Sequence, residues 1–182
     1  MRSKEIFNAA VDPLRIMTTF SLIGDAFYTA SGAAHDNPIR AIAALVGTMG
    51  GLIGLKGQGK TVAGIETGKI VMNVHRLCGL AYMLSGSNVF GFEASQRLTE
   101  ILTGSCVVLA TTANLRHSPK LGGVFFMAST ATTAAQFVET ALRTGESTDW
   151  YMLGAFASFL VANISSFYVK RNEPHMAPAL QT

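Results

Sequence analysis

The sequence predicts an all-α membrane protein: a polytopic bundle of six transmembrane helices, arranged as three αα-hairpins, with both termini in the cytoplasm. Charged residues make up only 14% of the chain, whereas soluble domains carry about a quarter. One stretch of 20 residues, 150–169, carries no charge at all. Lysine and arginine are also distributed unequally between the two expected sides of the bundle. Together these observations favour lipid as the solvent around the chain.

Residues 150–169 form the clearest transmembrane segment. About 20 apolar residues, at a rise of about 1.5 Å each, cross the roughly 30 Å hydrocarbon core of a bilayer. Amphipathic aromatic residues at both ends suit the lipid headgroups, and a closing basic pair indicates a cytoplasmic edge. These flanking residues are Trp150, Tyr151, Phe167, Tyr168, Lys170 and Arg171.

The chain is expected to divide into three parts. A cytoplasmic amphipathic lead-in (1–15) precedes a six-helix membrane domain (16–170), and a cytoplasmic tail (171–182) follows. Residues 57–73 are expected to be a connection that lies along the membrane interface. The six predicted spans are residues 16–34, 41–55, 75–92, 95–113, 121–142 and 150–169.

The distribution of positive charge agrees with this topology. Six spans place both termini on one side, and the positive-inside rule assigns the basic side to the cytoplasm. Of the 14 lysines and arginines, three are expected outside: Arg40, Arg97 and Arg143. The other 11 are expected inside: Arg2, Lys4, Arg15, Lys56, Lys60, Lys69, Arg76, Arg116, Lys120, Lys170 and Arg171. We therefore expect an integral membrane protein, with the bacterial inner (plasma) membrane as its location.

Residues 54–61 match the letters of a P-loop, G-x-x-x-x-G-K-T. Glycines, a lysine and a hydroxyl are what phosphate and magnesium binding require, but a P-loop lies between a buried parallel strand and a helix. Here a membrane-helix candidate precedes the motif. We interpret it as a basic, glycine-rich cytoplasmic loop and expect no nucleotide or other cofactor.

The second span carries small residues at helical spacing. Ala43, Gly47 and Gly51 are four residues apart, and so are Gly50 and Gly54. Such ladders let another helix approach closely and gain van der Waals contacts that lipid does not provide. Packing within one bundle is the favoured interpretation, and a dimer or assembly face is the alternative.

Asp25 is the strongest pointer to function, because a charge at the bilayer centre normally faces a partner or water. It lies about halfway along the first span. Ser21 and Tyr28 share its helix face at i−4 and i+3. Arg76 or His75, on the third span, is the candidate ion-pair partner. The alternative for Arg76 is extension of its side chain to the cytoplasmic surface.

Two later spans carry similar polar stripes. Glu100 lies on the fourth span, and Thr132, Gln136 and Glu139 lie on the fifth. With Ser21, Asp25 and Tyr28 they are candidates for lining a hydrated transport path. For Glu100 and Glu139 a position near the wet outer ends explains the carboxylates slightly better.

Nothing in the sequence argues strongly for catalysis. The four histidines lack metal-ligand spacing, and no nucleophile–base pair is recognisable. Cys78 and Cys106 both fall within predicted spans, where a disulfide or a zinc site is not expected. A net charge of +3 follows from topology, so no nucleic-acid partner is expected. We expect no catalytic residue and no metal site.

Three hypotheses of function remain. The first is a small transporter or channel that passes a small polar or cationic solute near Asp25. The second is a non-catalytic membrane subunit or scaffold of a larger complex, which agrees with the small size and the glycine ladder. A membrane-embedded enzyme is the third, since a single carboxylate can act as a base. Expected partners are the lipid bilayer and further copies of the chain or other membrane subunits.

Overall fold

The computed structural model describes residues 13–35, 37–57, 60–87, 89, 97–144 and 150–172. Most of the predicted lead-in and most of the predicted tail lie outside these residues. The described chain is helical apart from a minimal antiparallel hairpin, β1 (Thr61–Val62) and β2 (Ile65–Glu66). Its helices are α1 (Pro13–Ala34), α2 (Pro38–Gly57), α3 (Thr67–Gly86), α4 (Arg97–Leu115), α5 (Pro119–Thr144) and α6 (Trp150–Asn172). The prediction of an all-α chain is confirmed.

Four helices are long and apolar enough to cross a bilayer. They are Pro38–Gly57, Leu98–Leu115, Pro119–Thr140 and Trp150–Tyr168. No more than 33% of the apolar window of each is buried inside the protein. Each of the four helices exposes large apolar side chains, among them Met49, Leu109, Val124 and Ile164, which suits contact with lipid. The fold is thus compatible with an integral membrane protein. Among the described helices, α1 and α3 do not meet this criterion; α1 contains Asp25, and α3 contains His75 and Arg76.

The helices close into a ring. Each packs against the next in the chain, and α6 returns to pack against α1. The contacts of α4 with α5, and of α6 with α1, join different predicted hairpins, and they are at least as extensive as the contacts of α1 with α2 within one hairpin. No boundary in the packing therefore separates one predicted hairpin from the next.

The connection predicted over residues 57–73 is wrong in its second half. The chain reverses direction at Ala63 and Gly64, which have positive φ angles of 52° and 80°, and α3 begins directly afterwards at Thr67. The Thr67 hydroxyl donates to the Lys60 carbonyl at 2.7 Å, which fixes this start. Consequently α3 begins eight residues before the predicted span at His75. This hairpin follows the helix α2. A P-loop must instead follow a buried strand.

The first helix also begins earlier than predicted, at Pro13. Residues 13–15 were predicted to belong to the lead-in, and they form the first turn of this helix. Proline is favourable in the first turn of a helix, because its missing N–H would have no helical partner there.

The glycine ladder of α2 packs against α1 and α3 of the same chain. A Cβ at Gly47 would lie 3.1 Å from Oδ2 of Asp25, and a Cβ at Gly50 would lie 2.8 Å from Cγ1 of Val74. Gly51 and Gly54 make the corresponding contacts with Leu22, Val71 and Thr18, and Ala43 is buried in the core. The opposite face of α2 is exposed and apolar, with Ile42, Leu45, Val46, Met49, Leu52 and Ile53.

The interior of the ring is polar. Arg40, Tyr28, Gln136 and Glu100 are among its largest fully buried side chains. Buried apolar residues are mostly small, while large apolar residues cover the outside. This inside-out distribution suits lipid, where polar side chains that face the bundle interior find partners.

Candidate functional site: buried charges inside the ring

Asp25 and His75 face each other between α1 and α3. His75 Nε2 lies 3.6 Å from Asp25 Oδ2, which is longer than a hydrogen bond. The opposite ring nitrogen, Nδ1, is 2.9 Å from the carbonyl oxygen of Val71. Asp25 is only 5% exposed, and its Oδ2 has no hydrogen-bond partner among the described residues.

Neighbouring helices leave room for this carboxylate without supplying a donor. Gly47 of α2 lies against Asp25, where a side chain would press on Oδ2. Next to it, a Cβ at Gly50 would lie 3.6 Å from the His75 ring. An ionised carboxylate that is buried without a hydrogen-bond partner is costly in free energy. The imidazole of His75 is thus the group best placed to offset that cost.

Of the two candidate partners for Asp25, the structure places His75 beside it. Arg76 instead donates from Nη2 to the side-chain oxygen of Asn73 at 2.9 Å, one turn away on the same helix. The i to i+1 step rotates the two side chains onto different faces of α3.

A second buried charge pair joins α2 to α4. Arg40 Nε donates to Glu100 Oε1 at 2.9 Å, and Arg40 Nη2 donates to Glu100 Oε2 at 3.2 Å. The side chains are 2% and 0% exposed. The interpretation of Glu100 as a wet residue near the outer end is therefore wrong, because α2 and α4 bring an arginine over it and exclude water.

Asn37 and Ser85 complete this pair. Asn37 precedes α2, and its Oδ1 accepts a hydrogen bond from the Arg40 backbone N–H at 3.0 Å, as an N-cap residue does. The same oxygen accepts the Ser85 hydroxyl of α3 at 3.0 Å, while Asn37 Nδ2 lies 3.4 Å from Glu100 Oε2. One polar cluster thus connects α2, α3 and α4.

A chain of uncharged polar side chains continues across the ring. The Tyr28 hydroxyl of α1 donates to Gln136 Oε1 of α5 at 2.6 Å. Gln136 Nε2 donates to the Thr103 hydroxyl at 2.9 Å, and that hydroxyl is 2.7 Å from the hydroxyl of Thr132. Arg40 lies over the Tyr28 ring at 5.5 Å from its centroid, which links this chain to the charge pair.

These contacts define what we call the buried polar row. Its members are Asp25, His75, Tyr28, Gln136, Thr103, Thr132, Arg40 and Glu100. Five of the predicted path residues belong to it: Asp25, Tyr28, Glu100, Thr132 and Gln136. Glu139 lies beside it and accepts the Thr99 hydroxyl at 3.0 Å, and Ser21 is half-buried one turn before Asp25.

Sequence reasoning missed Arg40, Asn37 and Ser85 as site residues. Arg40 was counted only as one of three outer positive charges, and Asn37 and Ser85 were assigned no role. A signal was present, because an arginine in the first turn of a span, on a side otherwise poor in positive charge, calls for a compensating acid. Glu100 is likewise in the first turn of its helix, so both charges lie at comparable depth.

The donor set suits protons and small polar solutes better than a bound metal. In the part of the chain that the structure describes, no three His, Cys, Asp or Glu side chains come together as metal ligands would. Cys78 and Cys106 are both free there. The row offers hydroxyls, an amide and single carboxylates, which exchange hydrogen bonds without coordinating an ion fully.

Comparison of the chain with protein-family models, with curated proteins and with solved structures found no match in any of the three. Function therefore has to be inferred from the buried groups themselves. Those groups are concentrated in two places, at Asp25 with His75 and at Arg40 with Glu100, and the uncharged members of the buried polar row meet the second place where Arg40 lies over the Tyr28 ring.

Proposed function

We propose that this chain crosses the inner (plasma) membrane of a bacterium six times, with both termini in the cytoplasm, and passes a small polar or cationic solute along the buried polar row. Support for six crossings comes from the ring itself. Helices α1 and α3 alternate with candidate membrane spans in its packing order, and they turn Asp25 and His75 inward rather than toward the outside.

The observation that carries the proposal is the buried carboxylate of Asp25. Its Oδ2 is enclosed by α1, α2 and α3 and has no donor within hydrogen-bond distance among the described side chains. Ionisable residues in this position are expensive and normally mark a substrate or ion pathway. The acceptor selects for solutes that bring a positive charge or a hydrogen-bond donor.

The net charge of the buried polar row comes from Asp25. Arg40 and Glu100 neutralise each other, so Asp25 is the acid of the row that lacks a permanently charged partner. A cation is therefore attracted and an anion repelled. From Tyr28 to Glu100 the side chains of the row contact one another, so passage there requires them to separate, and the Arg40–Glu100 pair must open.

Flux measurements in liposomes test this function. Purified protein is reconstituted and assayed with potassium, methylammonium, guanidinium and small neutral amino acids as probes. At least one probe is expected to enter faster than it enters protein-free liposomes. The variant Asp25→Asn, which keeps the shape and removes the charge, is expected to reduce that entry to the protein-free rate.

Glu66→Gln is the matched control, because it also converts an acid to its amide. Glu66 lies in the hairpin before α3, is one-third exposed and lies 3.6 Å from the Lys69 ammonium. Its entry rate should equal that of the wild type. Entry of no probe, or equal rates for Asp25→Asn and wild type, would rule out a path through Asp25.

A second candidate function is that of a non-catalytic subunit bound to a further copy of the chain or to another membrane protein. One observation favours it: a wholly apolar groove of about 420 Å³ runs between α2 and α3, lined by Ile39, Ile42, Ala43, Val46, Leu77, Cys78 and Ala81. A groove between two spans is a shape that a partner helix fills. The oligomeric state, measured by sizing after mild extraction into nanodiscs, decides between a subunit and a lone chain. A monodisperse 19.3 kDa monomer contradicts the subunit hypothesis.

A further inference from the structure

The contacts of His75 fix which of its ring nitrogens carries hydrogen. The Val71 carbonyl can only accept, so Nδ1, at 2.9 Å from it, must be the N–H donor. A neutral imidazole has a single N–H, which leaves Nε2 with a lone pair. This nitrogen lies 3.6 Å from Oδ2 of Asp25, another acceptor. Two acceptors that face each other lack one proton between them.

The surroundings of the pair favour the binding of that missing proton. With neutral His75 and ionised Asp25 the pair carries a net charge of −1 (one carboxylate, no cation), enclosed where Asp25 is 5% exposed. Helix α2 presents Gly47 to the carboxylate, without any polar side chain. On the α6 side, Phe159 packs against Gly24 of α1. One added proton brings the net charge of the pair to zero, which a low-dielectric interior favours.

A metal ion does not fit the same gap. The pair offers one oxygen and one nitrogen, whereas hard cations take about six oxygen ligands. No third ligand-type side chain completes a metal cluster among the residues described. A proton needs only the two atoms that are present.

We propose that Asp25 and His75 together form a binding site for a single proton, held between Oδ2 and Nε2. The proton comes from water on one side of the membrane, takes the pair from a charge of −1 to zero, and leaves to water again. No bond between heavy atoms changes. The inference deepens the proposed function and rests on it in one respect: this proton is the ion whose movement is coupled to that of the solute.

Other titratable groups around the pair come from α1 and α3. Cys78 and Tyr82, on α3, are close enough to interact with the charge of Asp25. Tyr28 of α1 packs edge-on against Tyr82, with ring centroids 5.2 Å apart. All three are uncharged at neutral pH, so at that pH any proton gained or lost at the site belongs to Asp25 and His75. Arg40, two turns from Gly47 on α2, is committed to Glu100.

Nitrogen-15 NMR of labelled histidine in lipid nanodiscs tests the site directly. The variant His35→Gln/His117→Gln/His175→Gln leaves His75 as the single histidine and changes no member of the pair. At neutral pH we expect both ring nitrogens of His75 to carry hydrogen. In the same background, Asp25→Asn should leave hydrogen on Nδ1 alone, because the carboxylate that attracts the second proton is gone.

A His75 ring with hydrogen on Nδ1 alone, in a background that retains Asp25, overturns the inference. This spectrum decides by itself, so a failure of Asp25→Asn to fold does not protect the proposal. Equal spectra with and without Asp25→Asn overturn it as well, since the proton would then not be shared.

The coupling is tested separately, in liposomes, with whichever probe cation or amino acid enters. An imposed pH gradient should drive accumulation of that probe above its equilibrium level in the wild type and not in His75→Gln. Entry that is indifferent to the gradient overturns the coupling. A doubly protonated His75 without any probe flux supports the proton site and contradicts transport. Probe flux with a His75 that carries hydrogen on Nδ1 alone supports transport and contradicts the proton site.

Discussion

Arg40 and Glu100 meet through two hydrogen bonds, Nε to Oε1 at 2.9 Å and Nη2 to Oε2 at 3.2 Å, where neither side chain is more than 2% exposed. The contact joins α2 to α4, the two helices that pack on either side of α3. Parallel bonds between a guanidinium and a carboxylate fix both distance and orientation. The pair therefore fixes how α2 and α4 are held relative to each other.

Breaking this pair from one side should destabilise the protein strongly. Glu100→Gln leaves the Arg40 guanidinium charged and buried without its counter-charge, and removal of one partner of a buried pair costs about 3 to 5 kcal/mol. The free energy of unfolding, measured by denaturation in mixed micelles, should fall by that amount.

The double variant Arg40→Met/Glu100→Leu serves as the control for this prediction. It removes both charges while keeping most of the volume, and such replacements are often neutral or stabilising. We expect a stability well above that of Glu100→Gln. If the double variant is as unstable as the single one, volume or local packing is the cause and the ion pair is not.

Tyr28→Phe isolates the hydrogen bond that joins α1 to α5. The change deletes one hydroxyl and leaves Gln136 Oε1, which now accepts at 2.6 Å, without that donor. A buried acceptor that loses its partner costs about 1 to 3 kcal/mol. Denaturation in mixed micelles should show a loss in this range, smaller than that of Glu100→Gln.

A double-mutant cycle with Gln136→Leu attributes the loss to this contact. In the Gln136→Leu background Tyr28→Phe should cost distinctly less, because the acceptor is already absent. Additive losses would mean that Tyr28 acts through its ring, which packs on Tyr82 and Phe159, and not through its hydroxyl.

Sequence periodicity was sufficient for the helices because apolar runs and polar turns are local signals. The helical class and four apolar spans follow from them directly. The start of α3 was misplaced because Lys69 and Asn73, together with Gly68, resemble a loop in composition. In the structure they lie on a helix that the Thr67–Lys60 hydrogen bond begins.

The site was only partly predictable, for a different reason. Spacing along one helix placed Asp25 on a face with Tyr28, and Thr132 on a face with Gln136. Which helix lies opposite is a matter of tertiary packing, so the pairing of Arg40 with Glu100 had no local signature. The same holds for the contact of α3 with α4, where a Cβ at Gly79 would lie 2.8 Å from the Gly104 carbonyl oxygen.

The number of membrane crossings can be decided by labelling the two turns at His35 and His117. Both residues are exposed. If all six helices cross, an odd number of spans separates these turns from each other, and they lie on opposite faces. If only the four apolar helices cross, just two spans separate them, and they share a face.

The measurement introduces one cysteine at a time, His35→Cys or His117→Cys, into a Cys78→Ala/Cys106→Ala background. Intact cells are treated with a membrane-impermeant maleimide, and permeabilised cells give the total. We expect the cysteine at 35 to react from outside and the cysteine at 117 to react only after permeabilisation. Equal labelling of both positions in intact cells would exclude six crossings.

Gly47→Ala should impair the Asp25–His75 pair without touching its chemistry. The new Cβ would lie 3.1 Å from Oδ2 and 3.2 Å from Cγ of Asp25, so the carboxylate must move. Overpacking of this kind costs about 1 to 3 kcal/mol. We expect a loss of stability in this range together with a slower probe flux.

Gly68→Ala is the matched control, because nothing lies within 4 Å of a Cβ there and alanine is the better helix former. Its probe flux should equal that of the wild type. Wild-type stability and flux in Gly47→Ala would show that the space beside Asp25 is larger than this packing allows.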